Sequence, residues 1–203
     1  KDSSPFRLNA YLYVATDGTI TAMVPNPEFG QNVMTSMPMI LAEEMDADWS
    51  HINAKQAEYK PADFERQFTG GSQSIRRGWR SLRMAGASAK QLLIMAAAAR
   101  WQVPTAQLTV KDSVVSHAAT GNNATFGELA ADAALIKLPQ RITLKANRDF
   151  SLIGQSQTNL EGQNIVTGKP LFGIDYTNEG MLIAGIVQAP AFGKTLNDAD
   201  LTP

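Results

Sequence analysis

The sequence predicts an α+β fold in which helices pack on a small mixed sheet. The main observation is a long helical pattern, because apolar residues recur at steps of three and four from Ile75 to Ala96. Two shorter stretches, at 9–24 and 108–117, alternate instead and have turn residues at their centres, as β-hairpins do. The 203 residues are 44% hydrophobic, which is enough to bury a core without disulfide bonds.

Composition excludes several classes of protein. A net charge of −1 with 18% charged residues is unlike a disordered chain, and no apolar run approaches the length of about 18 residues that a transmembrane helix needs. Without cysteine, the chain forms no disulfide and no cysteine-ligated metal site. His51 and His117 lie far apart in strand-like runs, so we interpret both as structural and assign no residue to a metal.

The N-terminal elements follow from their turn and cap residues. The first hairpin turns at Asp17-Gly18. A helix is predicted next, with Thr35 or Ser36 as its cap and Pro38 in its first turn. The acids near the end of that helix are Glu43, Glu44, Asp46 and Asp48. We interpret these carboxylates as solvated charge rather than as a metal or acid–base site.

The longest predicted helix begins after the loop at 69–72 and continues to Trp101, before Pro104 stops it. Two glycines inside it, Gly78 and Gly86, are costly in a helix. They therefore predict close packing or a kink.

The C-terminal part changes in character along its length. The second hairpin turns at Asp112-Ser113, and a capping box at 125–128 starts a helix that ends near Lys137. Beyond residue 148, Asn, Gln, Thr and Gly are frequent, with short strand-like runs at 171–176 and 181–188. We therefore predict a first domain over 1–148 and an incomplete second portion over 149–203.

Charge is segregated along the chain. Residues 28–65 contain eight acids and two lysines, whereas residues 66–111 contain eight basic residues and no acid. The basic residues are Arg66, Arg76, Arg77, Arg80, Arg83, Lys90, Arg100 and Lys111. This pattern indicates either a positive surface for an anionic partner or a helix face whose counter-charges come from neighbouring elements. The overall charge and the lack of a second basic face argue against nucleic acid as the partner.

Two glycine-containing loops, at 30–32 and 69–72, each lead into a predicted helix. The first turn of a helix leaves backbone N–H groups unpaired at the positive end of its dipole, which favours an anion such as phosphate. The pair of loops predicts a ligand with separated phosphates, such as a dinucleotide-like cofactor. Ordinary helix capping is the alternative. Neither loop matches the Walker A pattern or the Gly-x-Gly-x-x-Gly fingerprint.

Four ordered blocks of the sequence carry a family resemblance. They are Pro-Glu-Phe-Gly-Gln-Asn-Val-Met-Thr at 27–35, Thr-Gly-Gly-Ser-Gln-Ser at 69–74, Phe-Gly-Glu-Leu-Ala at 126–130, and the glycine-containing stretch at 167–182. In this order they resemble the xanthine dehydrogenase/aldehyde oxidase family. The resemblance is closest to the molybdopterin-binding large subunit of the isoquinoline 1-oxidoreductase beta-subunit type, a group that includes membrane-bound aldehyde dehydrogenases.

The resemblance implies a molybdopterin-binding-type domain followed by the start of an α/β hammerhead domain. It implies a molybdenum hydroxylase that binds molybdopterin cytosine dinucleotide and oxidises aldehydes or hydroxylates N-heterocycles. The implied partners are an iron–sulfur small subunit, a cytochrome c subunit and the remainder of the large subunit. The implied location is the periplasm, or the periplasmic side of a membrane.

Carried over by position, the resemblance assigns a set of cofactor-binding residues: Gly30, Gln31, Thr35, Gly70, Gly71, Ser72 and Ser74. Asn32 stands where the family has its second glycine, and Asn tolerates the left-handed conformation better than most residues.

No catalytic residue is assigned, because the family's catalytic glutamate belongs to a C-terminal region beyond these blocks. From the start at Lys1 and the end at Pro203 we expect part of a longer subunit that is inactive by itself. Two alternatives stay open. One is a non-catalytic assembly or interaction module of the same fold, and the other is a generic phosphate- or nucleotide-binding domain.

Overall fold

The first sheet is built on the predicted N-terminal hairpin. In the computed structural model, which describes residues 4–169 and 172–194, its strands are β1 (Phe6–Arg7), β2 (Leu12–Val14), β3 (Ile20–Val24) and β4 (Ile52–Gln56). The strand order is β1-β2-β3-β4, with β4 parallel to β3 and the other pairs antiparallel. The predicted α+β fold with a small mixed sheet is confirmed.

Helix α1 (Val33–Met45) connects β3 to β4 and begins earlier than predicted. Its N-cap is Asn32, in the left-handed conformation with a φ of 68°, rather than Thr35 or Ser36. Pro38 therefore lies inside the helix and not in its first turn. The prediction was wrong because a glutamate side chain, that of Glu28, accepts a hydrogen bond from the first turn of the helix.

Helix α2 (Ser74–Trp101) confirms the longest predicted helix and packs closely on α1. A Cβ atom at Gly86 would lie 2.4 Å from the carbonyl oxygen of Leu41 and 2.9 Å from the Cβ atom of Glu44. A Cβ atom at Gly78 would lie 3.2 Å from the Met37 side chain. Both glycines therefore allow close packing, and at Gly86 the neighbour is a backbone atom that cannot move aside.

A second, antiparallel sheet follows α2. Its strands are β5 (Leu108–Lys111), β6 (Val114–His117) and β7 (Asn122–Thr125), in that order. The predicted turn at Asp112 and Ser113 is confirmed, since both residues have positive φ. Strand β7 was not predicted.

Two further helices follow the second sheet. The predicted capping box is present at the start of α3 (Phe126–Ala133), which ends before Lys137 rather than near it. A short helix, α4 (Gly162–Val166), comes later in the chain.

The core lies between the sheets and the helices α1, α2 and α3. Its largest fully buried apolar side chains come from the first sheet and the three helices, and include Leu12, Ile20, Met37, Leu41, Leu82, Leu93, Phe126 and Leu129. No helix among the described residues is long and apolar enough to cross a bilayer.

The chain divides into two units between Lys169 and Pro170. Among the described residues of the second unit, a single 3-10 turn at Gly173–Asp175 is present, and the amide of Phe172 donates to Asp175 Oδ2 over 3.0 Å. The rest of 172–194 forms neither helix nor strand, so the two strand-like runs predicted there were wrong. Residue 171, in the first of these runs, lies outside the described residues. The boundary near residue 148 stays a prediction of where the hammerhead portion begins.

Replacing Gly86 tests the close approach of α1 and α2. Alanine gains helix propensity over glycine, but its methyl group overlaps the Leu41 carbonyl. We expect Gly86→Ala to lower the free energy of unfolding by about 2 kcal/mol, measured by urea denaturation.

Gly162→Ala is the matched control, because its Cβ atom would meet only the Asn159 Cβ atom at 3.7 Å. Equal midpoints for the two variants would contradict close packing at Gly86.

Candidate functional site

The first predicted anion loop is closed by a carboxylate of its own. Glu28 Oε1 accepts hydrogen bonds from the backbone amides of Gly30 (2.7 Å) and Asn32 (3.0 Å), and Oε2 accepts from the amide of Met34 (3.1 Å). These amides lie at the N-terminus of α1, where an anion is favoured. The position that the sequence predicts for a ligand anion is thus taken by Glu28.

Gln31 and Thr35 are engaged within the chain as well. Gln31 accepts from the amide of Phe29 (2.8 Å) and donates to the carbonyl of Pro27 (2.9 Å). The buried Thr35 hydroxyl accepts from the amide of Leu160 (3.0 Å) and donates to Asn159 (3.3 Å).

Asn32 contributes to the same contact, because its Oδ1 accepts from Asn159 Nδ2 over 2.5 Å. The N-terminal part of α1 therefore holds residues 159–160 in place.

The second predicted loop, in contrast, leaves its helix start open. Gly71 and Ser72 both have positive φ, at 63° and 55°, and turn the chain into α2. Gln73, the N-cap of α2, makes no side-chain capping bond. The first-turn amides of this 28-residue helix therefore face outward at the positive end of its dipole. Gly70 lies against the ring of Phe68: a Cβ atom added at Gly70 would lie 2.6 Å from the Cε1 atom of that ring.

The two loops lie side by side, joined by residues 26 and 27. The carbonyl of Pro27 accepts from Thr69 Oγ1 over 2.8 Å. The buried Asn26 donates to the carbonyl of Phe68 (2.7 Å) and to Ser74 Oγ (3.3 Å). The partners of these bonds are 42 residues apart in sequence, yet the loops form one region of the surface.

A cavity of about 200 Å³ opens beside the start of α2. The residues that line it are Tyr11, Pro25, Asn26, Met37, Glu65, Arg66, Gln73, Ser74, Arg77, Gly78, Ser81 and Leu82. Of the seven residues predicted to bind cofactor, Ser74 is the one in this lining. Burial raises the pKa of Tyr11, although its hydrogen bond with Ser81 opposes the shift, so the phenol stays a proton donor.

The basic segment separates into paired and unpaired residues. Three of its members form ion pairs: Arg83 with Glu44 (2.6 Å), Lys90 with Asp46 (2.8 Å) and Arg100 with Asp132 (2.7 Å). Within the described residues, four arginines around the start of α2 form no salt bridge: Arg66, Arg76, Arg77 and Arg80. The interpretation by counter-charges from neighbouring elements is therefore confirmed for three residues, and the positive surface for an anionic partner stays a prediction for these four arginines. The excess positive charge lies at the cavity.

Arg66 is held at the mouth of this cavity. Its Nη1 donates to Gln73 Oε1 over 2.9 Å, and its guanidinium lies 5.0 Å from the centroid of the Phe68 ring. Its position is thus fixed by neutral groups, which leave its charge uncompensated.

Two of the four acids at the end of α1 are buried, so the interpretation as solvated charge was wrong for them, whereas Asp46 and Asp48 are half-buried. Glu43 and Glu44 are each 1% exposed. Glu43 binds Lys145 Nζ (2.6 Å) and accepts from the backbone amides of 151–153. Glu44 binds Arg83 and the amide of Lys145. The sequence could not show this, because Lys145 lies about 100 residues away.

These contacts change the acidity of Glu43. Burial alone would raise the pKa of its carboxyl, but Lys145 and the three backbone amides outweigh burial and hold the pKa below its usual value. The Glu43 carboxylate therefore has a structural role: it holds the segment at 145–153 against α1 through an ion pair and backbone hydrogen bonds.

The histidines take no part in a metal cluster. His117 is buried, and its ring nitrogens lie 2.8 Å from Thr120 Oγ1 and 3.1 Å from Gln107 Oε1. His51 is exposed at the end of a 3-10 turn. In the part of the chain that the structure describes, no group of three or more His, Asp or Glu side chains could hold a metal ion.

Residues 3–174 match the family described as "Molybdopterin cofactor-binding domain". The chain belongs to this family. The resemblance predicted from the four sequence blocks is therefore confirmed, and the cofactor class it implies is a molybdopterin.

Curated relatives agree with this assignment. The beta subunit of isoquinoline 1-oxidoreductase from Brevundimonas diminuta is 29% identical over 95% of this chain and 30% of its own length. The membrane-bound aldehyde dehydrogenase [pyrroloquinoline-quinone] of Gluconacetobacter polyoxogenes is 29% identical over 97% of this chain and 26% of its own. A nicotinate dehydrogenase subunit of Pseudomonas putida is 27% identical over 94% and 16%. The chain thus spans less than a third of each of these relatives, and their names are those of oxidoreductases.

The acidity of Glu43 gives a pH-dependent prediction. Because the folded carboxyl has the lower pKa, its contribution is complete above the usual value of 4.5 and is lost as the pH falls through the lowered value. We expect Glu43→Gln to cost about 3 kcal/mol of unfolding free energy at about pH 7. We expect this cost to shrink at about pH 3, in urea titrations at both pH values.

Glu65→Gln is the control, since Glu65 is exposed and accepts no hydrogen bond within the described residues. Equal unfolding free energies for Glu43→Gln and Glu65→Gln at both pH values would rule out this structural role of Glu43.

Proposed function

We propose that this chain is the part of a molybdenum hydroxylase large subunit that binds molybdopterin cytosine dinucleotide. The carrying observation is the group of four arginines without ion pairs around the open start of α2, within the described residues. Such a group costs free energy through mutual repulsion unless an anion joins it. A phosphate group of the cofactor is the anion that this family membership supports.

The residues present fit a phosphate group at the second loop. Gly71 and Ser72 lead into the start of α2, whose first-turn amides are available as donors, and Ser74, Arg66 and Arg77 add side-chain donors at the cavity. The first loop fits less well, because Glu28 already accepts from its amides. Of the predicted cofactor-binding residues, we therefore keep Gly70, Gly71, Ser72 and Ser74 as direct contacts. We propose that Gly30, Gln31 and Thr35 do not contact the phosphate but support the first loop, which lies beside the second.

The shape of the surface supports an elongated ligand. The cavity holds about 200 Å³, less than the roughly 300 Å³ at which typical ligand pockets begin. A more open groove of about 570 Å³ continues from it and shares Tyr11, Glu65, Arg77 and Ser81 with it. The groove adds Arg80 at one side and apolar residues, including Met84 and Leu138, along its floor. A ligand with a charged phosphate and a less polar remainder, as in a dinucleotide, suits this combination.

When bound, the cofactor supplies molybdenum for oxidising a substrate with oxygen from water. The substrate classes we propose are aldehydes and N-heterocycles, which are the classes that the names of the relatives point to. We further propose an iron–sulfur subunit and a cytochrome c subunit as electron-accepting partners, together with the remainder of the large subunit. The proposed location is the periplasm, or the periplasmic side of a membrane. In this scheme the described residues bind and position the phosphate, and none of them is assigned a catalytic role.

A generic phosphate- or nucleotide-binding role is the second candidate, and the small size of the cavity favours it. Cytidine diphosphate and adenosine diphosphate distinguish the two functions by titration calorimetry. Tighter binding of the cytidine nucleotide supports the cytosine dinucleotide. Equal affinities support the generic role.

Arg77 lines both the cavity and the groove, so its loss is the sharpest test of the site. We expect Arg77→Ala to weaken the binding of cytidine diphosphate about tenfold, because one charged donor to phosphate is removed. The affinity of the unaltered chain should also fall with added salt, since Arg77 is exposed.

Lys137→Ala removes the same charge from an exposed position outside the cavity lining and should leave the affinity unchanged. Equal affinities for the Arg77 and Lys137 variants would contradict the proposed site.

A further inference from the structure

Residues 26–28 connect the two loops and the two helix starts around the proposed site. Asn26 donates to the second loop at the Phe68 carbonyl and to Ser74 in α2. The carbonyl of Pro27 accepts from Thr69 Oγ1 (2.8 Å), the first residue of the second loop. Glu28 accepts from three backbone amides at the start of α1. Three consecutive residues thus tie two helix starts and both loops together.

Glu28 is the residue that fixes this connection on the α1 side. A carboxylate that accepts several backbone amides makes charge-assisted hydrogen bonds, which are about twice as strong as neutral ones. Its two oxygens reach amides at three positions, from Gly30 to Met34, so the loop at 27–32 is held in a single shape. Gln31 adds a bond from its amide to the Pro27 carbonyl (2.9 Å), and the same oxygen holds Thr69.

We infer that Glu28 is a positioning residue for anion binding: it serves as the built-in anion of the first loop and, through Pro27 and Thr69, holds the second loop where a ligand phosphate binds. This inference rests on the proposed phosphate site at the start of α2. It adds that the ligand's phosphate goes to the second loop alone, although both loops have the form of an anion site.

Electrostatics and positioning make opposite predictions for the loss of this carboxylate. If Glu28 acted only by its charge, its removal would strengthen the binding of an anion nearby, because a repulsion disappears. If Glu28 positions the second loop, its removal loosens the Pro27–Thr69 link and weakens binding. The sign of the change therefore separates the two roles.

The test compares Glu28→Gln with Glu65→Gln, using inorganic pyrophosphate as the probe in titration calorimetry. Both variants lose one negative charge. Glu65 lines the cavity with Arg66 and Arg77, but it accepts no backbone amide within the described residues. We expect Glu28→Gln to bind pyrophosphate about fivefold to tenfold more weakly than the unaltered chain. We expect Glu65→Gln to bind it more tightly, because Glu65 lines the cavity and its loss removes a repulsion with the anion.

Thr69→Val breaks the same link from the other side and keeps the test valid if Glu28→Gln does not fold. It should weaken pyrophosphate binding as well, and the double variant should lose less than the two single losses combined, because both act through the Pro27 carbonyl. A simple loss of global stability would not produce this coupling in the affinity. Unchanged or tighter binding by Glu28→Gln, or by Thr69→Val, would overturn the inference.

Amide hydrogen exchange separates a failure of this inference from a failure of the proposed function. In the absence of any ligand, Glu28→Gln should exchange faster than Glu65→Gln at residues 71–74, which Glu28 does not touch. Equal exchange in the two variants would overturn the positioning role. A chain that binds no pyrophosphate, but in which exchange does respond to Glu28→Gln, would instead overturn the proposed phosphate site.

Discussion

The close approach of α1 and α2 at Gly86 is the constraint on which the remaining structure depends. With no side chain at this position, the α2 backbone reaches the carbonyl of Leu41, and Glu44 comes within 2.6 Å of Arg83. Lys145 then joins the two buried acids of α1 and brings the segment at 145–153 onto them. One glycine thus sets the distance at which a buried network of charges can form. Such a network stabilises only if each charge finds its partner.

This packing also decides which charges remain for a ligand. Three basic side chains along α2 are neutralised by acids of neighbouring elements. The pairs are Arg83 with Glu44, Lys90 with Asp46 and Arg100 with Asp132. The arginines of the first two turns lie beyond these acids, around a helix start that no side chain caps. A chain with a net charge of −1 therefore concentrates positive charge at one small cavity. The phosphate of a molybdopterin cofactor is the anion that we propose for this cavity, on the basis of the family to which the chain belongs.

Local features of this protein were readable from its sequence, and distant ones were not. The hairpin turns and the capping box of α3 were predicted because the residues that determine them are neighbours. The predicted start of α1 was wrong because Asn32 is the N-cap and the side chain of Glu28, rather than of a serine or threonine, accepts from the amide of Met34 in the first turn. Glu43 and Glu44 were taken for solvated charge because nothing near them in sequence indicates Lys145. At the proposed site, the sequence indicated both loops. It did not indicate that Glu28 accepts from the amides of the first loop, while no N-cap side chain does so at the second. Glu28 stood in the first sequence block and was not recognised as an internal anion.

The proposed function requires that the start of α2, and not that of α1, receives the ligand's phosphate. Amide chemical-shift mapping of the ¹⁵N-labelled chain during addition of inorganic pyrophosphate tests it directly, because every backbone amide of both loops is observed in one titration. We expect saturable shifts centred on Ser72 and Ser74 and on the arginines beside them, with small shifts at Gly30, Asn32 and Met34. Shifts centred on Gly30 to Met34, with the start of α2 unaffected, would contradict it.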